Sequence, residues 1–272
     1  MTFRSLLFVP GARPDRFAKA MAAGADAVCI DLEDSTPSAE KAAARRETLS
    51  FLRSPPEGAD IGLRLNALSS IDGFQDVVAL AESGVRPAFV MLAKASGAAE
   101  IEQLRSVLSP WAPFFWPLIE TPQALAAATE IARAVGAAGG ILFGGADYSA
   151  ATGSDMSFEA LLHARGAIVS AAATAGCSTL DAPFLDVKDD SDLRAETRRV
   201  RALGFQGRAA IHPAQIPTIN EVFTPTEDDI ARAMRVVAAF RAGSGGAALL
   251  DGKLIERPVL RAAERVLAAR KR

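Results

Sequence analysis

Phe114-Phe115-Trp116-Pro117-Leu118-Ile119-Glu120-Thr121-Pro122 is a six-residue apolar run, then an acid, then the start of a helix. A bounded apolar run of this length reads as a buried strand. Pro122 suits the first position of a helix, where its missing N–H has no partner to lose. Three further segments close short apolar runs in the same way: Asp31-Leu32-Glu33-Asp34, Arg64-Leu65-Asn66 and Gly144-Gly145-Ala146-Asp147. Each puts polar chemistry where a strand hands over to a helix.

Working outward, strand and helix patterns alternate along the chain. Strands are expected over 6–9, 27–32, 61–65, 88–92, 114–119, 140–143, from 179, and over 209–211. Helices are expected over 15–23, from Ser38 as cap to 52, 73–82, 98–108, 122–135, within 158–175, and over 191–203. Eight strand-then-helix units imply parallel strands with right-handed crossovers, hence an α/β fold of (β/α)8 (TIM) barrel type with extra C-terminal helices. An open doubly wound sheet is the rival. It needs a reversal of winding, and a glycine-rich dinucleotide loop after the first strand is missing. A further helix runs from Pro225-Thr226-Glu227-Asp228 to about 241, before the flexible linker Gly243-Ser244-Gly245-Gly246 and a tail ending in a basic helix. The expected domains are therefore 1–242, the barrel with its following helix, and 243–272, a glycine-linked tail.

The 272 residues suit one such barrel, which commonly takes about 250. Half are apolar, enough for a large core. A net charge of −2 argues against nucleic acid as a partner. Cys29 and Cys177 lie in apolar stretches and read as reduced core residues. The N-terminus lacks a signal-peptide pattern, and no apolar run is long enough to span a bilayer. A soluble cytoplasmic protein without membrane partners is expected.

Glu120 and Asp147 follow neighbouring strands. They read either as helix caps and ion-paired acids or, converging on one rim, as ligands for Mg²⁺. The absence of a cysteine or histidine cluster disfavours zinc. Gly144, Gly145 and Ala146 offer backbone N–H groups to an anion, or form an ordinary turn. Arg64 can grip a carboxylate or enolate oxygen, or pair with the acids at 31, 33 and 34. Asp31, Glu33 and Asp34 crowd negative charge that calls for a nearby cation. Arg13, Arg16 and Lys19 form either a solvated helix face or a phosphate seat. Lys94 stands where a Schiff-base lysine would, without a neighbour in sequence to depress its pKa. His212, beside Pro213, reads as a hydrogen-bonded rim residue. His163 reads as a surface residue of a helix.

At these residues the chain resembles the citrate lyase β-subunit-like family of the HpcH/HpaI aldolase superfamily. The matching stretches are Leu7-Phe8-Val9-Pro10-Gly11 with Arg13 and Arg16, Ile30-Asp31-Leu32-Glu33-Asp34, Arg64-Leu65-Asn66, Ile119-Glu120-Thr121, Phe143-Gly144 with Asp147, Gly204-Phe205-Gln206-Gly207, and Ile211-His212-Pro213-Ala214-Gln215-Ile216. The likeness runs from residue 3 to about 268. It implies an Mg²⁺-dependent carbon–carbon lyase that cleaves 3-hydroxyacyl-CoA thioesters, such as citramalyl-, malyl- or citryl-CoA, to acetyl-CoA and a 2-oxo acid. Glu120 and Asp147 would hold the metal, and Arg64 would contact the oxo acid or the enolate. Gly144, Gly145 and Ala146 would bind the substrate carboxylate, with Arg13 and Lys19 toward the CoA entrance. In the mechanism expected on that basis, one of the group Asp31, Glu33 and Asp34 would take the hydroxyl proton through water, with Glu33 and Asp34 as the catalytic candidates, and Glu256 would return one to the enolate carbon. A homo-oligomer, a trimer or a multiple of it, is expected.

The chain departs from the family pattern in three places. Ala146 replaces an acid, Ala93 replaces a proline before Lys94, and Gly252-Lys253-Leu254-Ile255-Glu256-Arg257-Pro258 carries Glu256 where the family has aspartate. Glu256 and Ala146 motivate one alternative, a non-catalytic or regulatory subunit binding 2-oxo acid and CoA; a further alternative is an Mg²⁺-dependent aldolase acting on free 2-oxo acids.

Overall fold

The structure, a computed structural model, describes residues 2–56, 60–111, 113–243 and 246–269. Its strands β1 (Ser5–Pro10), β2 (Ala27–Asp31), β3 (Asp60–Leu65), β4 (Phe89–Leu92), β5 (Phe114–Ile119), β6 (Gly140–Phe143), β7 (Ser178–Asp181) and β8 (Gly207–Ala210) form a closed parallel barrel in chain order. β8 returns to β1 with Leu6 opposite Ala209. The winding never reverses, so the doubly wound alternative is excluded.

The helices are α1 (Phe17–Met21), α2 (Lys41–Phe51), α3 (Ile71–Ser83), α4 (Ala98–Val107), α5 (Pro122–Ala126), α6 (Ala128–Val135), α7 (Gly145–Thr152), α8 (Leu162–Ala175), α9 (Asp190–Leu203), α10 (Ile216–Phe223), α11 (Glu227–Ala242) and α12 (Arg257–Ala269). Ser70 caps α3 and Thr121 caps α5, each through its side-chain oxygen. Three expectations are corrected. Ser38 is the first residue of a 3₁₀ turn, not a cap. The single helix over 122–135 breaks at Ala127 into α5 and α6. Helix α7 was not foreseen, because Gly144-Gly145 reads locally as a turn.

Alternate strand residues point inward and fill the barrel: Leu6, Cys29, Met91, Trp116, Leu118, Leu142 and Leu180 belong to one buried cluster. Its N-terminal end is closed by Phe3, Phe89 and Trp116, with ring centroids 5.5 Å apart for Phe3 with each of the others. Small residues make the room. A Cβ at Gly62 would lie 2.1 Å from the Phe89 ring, and one at Gly140 would lie 2.4 Å from Trp116. Both cysteines are buried thiols.

The chain forms two compact units, Met1–Asn220 and Glu221–Arg272. This boundary differs from the one expected at 242/243. The apolar face of α11 (Ala233, Val236, Val237) shares a core with Ile255 and Ala263, so α11 belongs with the tail. The tail also contains an unforeseen antiparallel hairpin, β9 (Ala248–Leu250) with β10 (Lys253–Ile255). Asp251 and Gly252 turn it with φ of 50° and 74°, the Asp-Gly pairing that two-residue hairpins favour. Of the expected linker 243–246, residues 244 and 245 lie outside the described residues.

Candidate active site at the barrel mouth

The polar ends of β2, β3, β5 and β6 meet around a cavity of about 190 Å³. Phe8, Leu118 and Leu142 supply apolar lining, and Met156 and Leu185 add exposed apolar side chains. Asp31, Asp34, Arg64, Glu120 and Asp147 supply charge.

Glu120 directly follows β5 and is only 2% exposed. Its Oε1 accepts the Lys94 backbone N–H at 2.5 Å. Burial, together with the charges of Asp147 and Glu33, pushes its carboxyl up to about 8, against the opposing pull of the Lys94 N–H and Arg64. Gly144 has an unremarkable φ of −97°, but a Cβ there would lie 2.5 Å from Glu120 Oε2. Its glycine is therefore required by the approach of Glu120, not by a turn. Asp147 sits in the first turn of α7. The N–H groups of that turn have no intrahelical acceptor, and residues 144–147 all line the cavity. An anion there would also meet the positive end of the helix dipole.

Arg64 forms a two-pronged pair with Asp31, 2.6 Å on each arm, and its third nitrogen lies 3.2 Å from Glu33. Its guanidinium carbon stands 4.9 Å from the centre of the Phe8 ring. Asp31 also accepts from the Glu33 and Ser35 amides and from the Ser35 hydroxyl. Burial works to raise its carboxyl, but Arg64 and these donors hold it below the usual range. Glu33 is buried and lies 2.5 Å from Lys94 Nζ. Burial lifts its carboxyl above the usual range despite Arg64 and Lys94. Asp34 is the most open of the three acids, with a side chain 55% exposed and 3.4 Å from Lys94 Nζ. Asn66 is structural: it donates to Leu32 O and to Asp76, tying the loop after β2 to β3 and α3.

Burial opposes the charge on Lys94, but the hydrogen bond to Glu33 and the charges of Glu33, Asp34 and Asp147 outweigh it and raise its pKa. A lysine kept protonated is a poor Schiff-base nucleophile.

A second cavity, of about 440 Å³, shares Phe8 and Ile211 with the first and is also lined by Arg16, Lys19 and His212. Arg13 is not in its lining; it turns to Asp15 at 2.7 Å on an exposed surface. The useful signal was the Arg16–Lys19 spacing of one helical turn. His212 Nδ1 accepts the Ala214 N–H and caps the turn Pro213–Gln215. Glu256 lies in the second unit, between β10 and α12, with an exposed side chain.

Residues 4–213 match the HpcH/HpaI aldolase/citrate lyase family. The citrate lyase subunit beta-like protein of Mycobacterium tuberculosis is 37% identical over 270 residues, covering 96% of this chain and 93% of its own. An L-malyl-CoA/beta-methylmalyl-CoA lyase of Cereibacter sphaeroides is 33% identical, covering 96% and 92%. The solved structure of protein CitE from M. tuberculosis in complex with magnesium, acetoacetate and coenzyme A superposes with a TM-score of 0.85 at 35% identity, covering 100% of this chain and 99% of that one. With the closed barrel and its acid-lined mouth, these likenesses place the chain in the HpcH/HpaI aldolase/citrate lyase family.

Proposed function

We propose that the protein is an Mg²⁺-dependent carbon–carbon lyase that cleaves a 3-hydroxyacyl-CoA thioester to acetyl-CoA and a 2-oxo acid. The observation that carries this reading is the convergence of Glu120, Asp147, Arg64 and the first turn of α7 on one cavity. It is supported by relatives that act on malyl-CoA and by one solved with magnesium and coenzyme A.

The donor set fits the ion. Among the described residues no group of three or more His, Cys, Asp or Glu could hold a metal; what the cavity offers is a pair of carboxylates, Glu120 and Asp147, close enough for the charge of one to act on the other. Mg²⁺ favours one or two carboxylates, with waters and substrate oxygens completing its shell. Held by Glu120 and Asp147, Mg²⁺ would supply Lewis-acid stabilisation of negative charge on substrate oxygen.

The chain's own residues do the rest. The amides of Gly145 and Ala146 bind the substrate carboxylate. Asp34 takes the hydroxyl proton: it lines the cavity with a side chain 55% exposed and a longer contact of 3.4 Å to Lys94, whereas Asp31 is saturated by Arg64 and Ser35, and Glu33 is held by both Lys94 and Arg64. Arg64, fixed in place by Asp31, receives the enolate charge as the carbon–carbon bond breaks. Arg16 and Lys19, rather than Arg13, meet the CoA phosphates from the second cavity. Glu256 returns the proton to the enolate carbon, delivered from another copy in a homo-oligomer such as a trimer. The non-catalytic alternative rests on Ala146 and on the extra methylene of Glu256.

Citramalyl-, malyl- and citryl-CoA incubated with enzyme and Mg²⁺ should release acetyl-CoA by mass spectrometry from at least one. Binding of the thioester without release from any of the three rules out the lyase and leaves the binding subunit. A monomer by light scattering removes the shared proton donor.

A further inference from the structure

Lys94 engages both proposed metal ligands without being one. It follows β4 with φ of 49°, the left-handed region that side-chain-bearing residues rarely adopt. From there its backbone N–H donates to Glu120 Oε1 at 2.5 Å. Its ammonium reaches Glu33 at 2.5 Å, Asp34 at 3.4 Å and Asp147 at 3.7 Å. One residue thus touches the carboxylate that follows β5, the carboxylate on α7, and both Glu33 and Asp34 of the loop after β2. Arg64, the other cation here, is already committed to Asp31 and Glu33. The ammonium is therefore the positive charge nearest Asp147 before any metal arrives.

We propose that Lys94 is a tethered counter-ion that competes with the divalent cation for Asp147: it holds the acid cluster together in the metal-free enzyme and keeps metal binding weak and exchangeable. When the ion binds, the ammonium withdraws from Asp147 and keeps Glu33 and Asp34, its two nearer partners. Lys94 is a positioning residue, acting through the carboxylates and not on the substrate. The inference rests on the metal reading of Glu120 and Asp147.

The two can be tested apart, using Mn²⁺ as the probe and electron paramagnetic resonance to count free ion. Wild-type protein, Lys94→Met and Lys94→Arg are titrated in the absence of substrate. Removing a unit charge a few ångström from a divalent ion shifts its affinity about tenfold or more, even at the dielectric constant of water. Lys94→Met should therefore bind Mn²⁺ at least about tenfold more tightly, while Lys94→Arg, which keeps the charge, stays near wild type. A salt bridge that merely stabilises the fold predicts no gain in metal affinity. Thermal melts give a second measurement: Lys94→Met should melt below wild type in chelator and gain more from Mg²⁺ than wild type does. If wild type binds Mn²⁺ but Lys94→Met binds no more tightly, Lys94 is not a competitor. A Lys94→Met chain that stays unfolded in excess Mg²⁺ also overturns the proposal, since the ion should substitute for the missing ammonium. If wild type itself binds no Mn²⁺, the metal reading fails first and takes this inference with it.

Discussion

At the N-terminal end of the barrel, Phe3, Phe89 and Trp116 pack into an aromatic plug, where Trp116 Nε1 finds no hydrogen-bond partner among the described residues. At the C-terminal end, Asp31, Glu33, Asp34, Glu120 and Asp147 crowd around Arg64 and Lys94. Both ends use glycine to bring bulky groups close: Gly62 and Gly140 admit rings, and Gly144 admits a carboxylate. The plug is satisfied by shape, so any added volume is felt at once. The mouth holds like charges together, an arrangement stable only while cations compensate it. Stability is therefore concentrated at one end of the barrel and ligand response at the other.

The largest break in this contrast comes from Glu120→Ala. It should lower acetyl-CoA release by about 10³-fold or more, since losing the ion forfeits several kcal/mol of charge stabilisation, while the melting temperature in chelator changes little. A variant retaining full rate in Mg²⁺ would falsify the site. Gly62→Ala strikes the other end. Its Cβ overlaps the Phe89 ring, and overpacking of this kind costs about 1–3 kcal/mol. Calorimetry should show a melt lowered by several degrees, with turnover per folded molecule retained.

The next effect is on pH. The carboxyl of Glu120 lies near 8 in the folded chain, against an ordinary value of 4.5. Between those values the folded chain keeps a proton that the unfolded chain has released. The contribution of Glu120 to metal-free stability therefore falls as pH rises through that window and levels off above it. An incoming ion must displace the same proton, so Mg²⁺ affinity measured by calorimetry should climb by up to about tenfold per pH unit and flatten near pH 8. An affinity independent of pH between 6 and 8 contradicts a protonated Glu120. The smallest effects belong to the outer cavity. Arg16→Ala and Lys19→Ala should each raise KM for a CoA thioester several-fold, about what one exposed charge contact provides, and leave kcat unchanged. Arg13→Ala, whose charge is already spent on Asp15, should leave KM alone.

Much of the mouth was legible in the chain because each charged group there ends its own apolar run. Glu120 after 114–119 and Asp147 after Gly144-Gly145 carried a position at the rim, and both line the cavity there. Helix α7 was hidden because Gly144 and Gly145 look like turn residues, yet Gly144 is there to make room for Glu120, which comes from the neighbouring strand. Arg13 and Arg16 were indistinguishable by type, and only the fold turns one to Asp15 and the other to a cavity. The helix at 227–242 showed its apolar face plainly, but amphipathic spacing does not name the surface it will cover.

What the amino-acid order determined by itself was the count and direction of the barrel strands, and which residues stand at their carboxyl ends. Both follow from local properties: apolar runs seek burial, and turn and cap residues set where each run stops. Only the tertiary structure decided who pairs with whom: Arg64 with Asp31, and Lys94 reaching from beyond β4 to Glu33, Asp34 and Asp147. Electrostatic partnership depends on distance and burial in space. Residues 61 positions apart in the chain, such as Lys94 and Glu33, become neighbours only once the barrel closes.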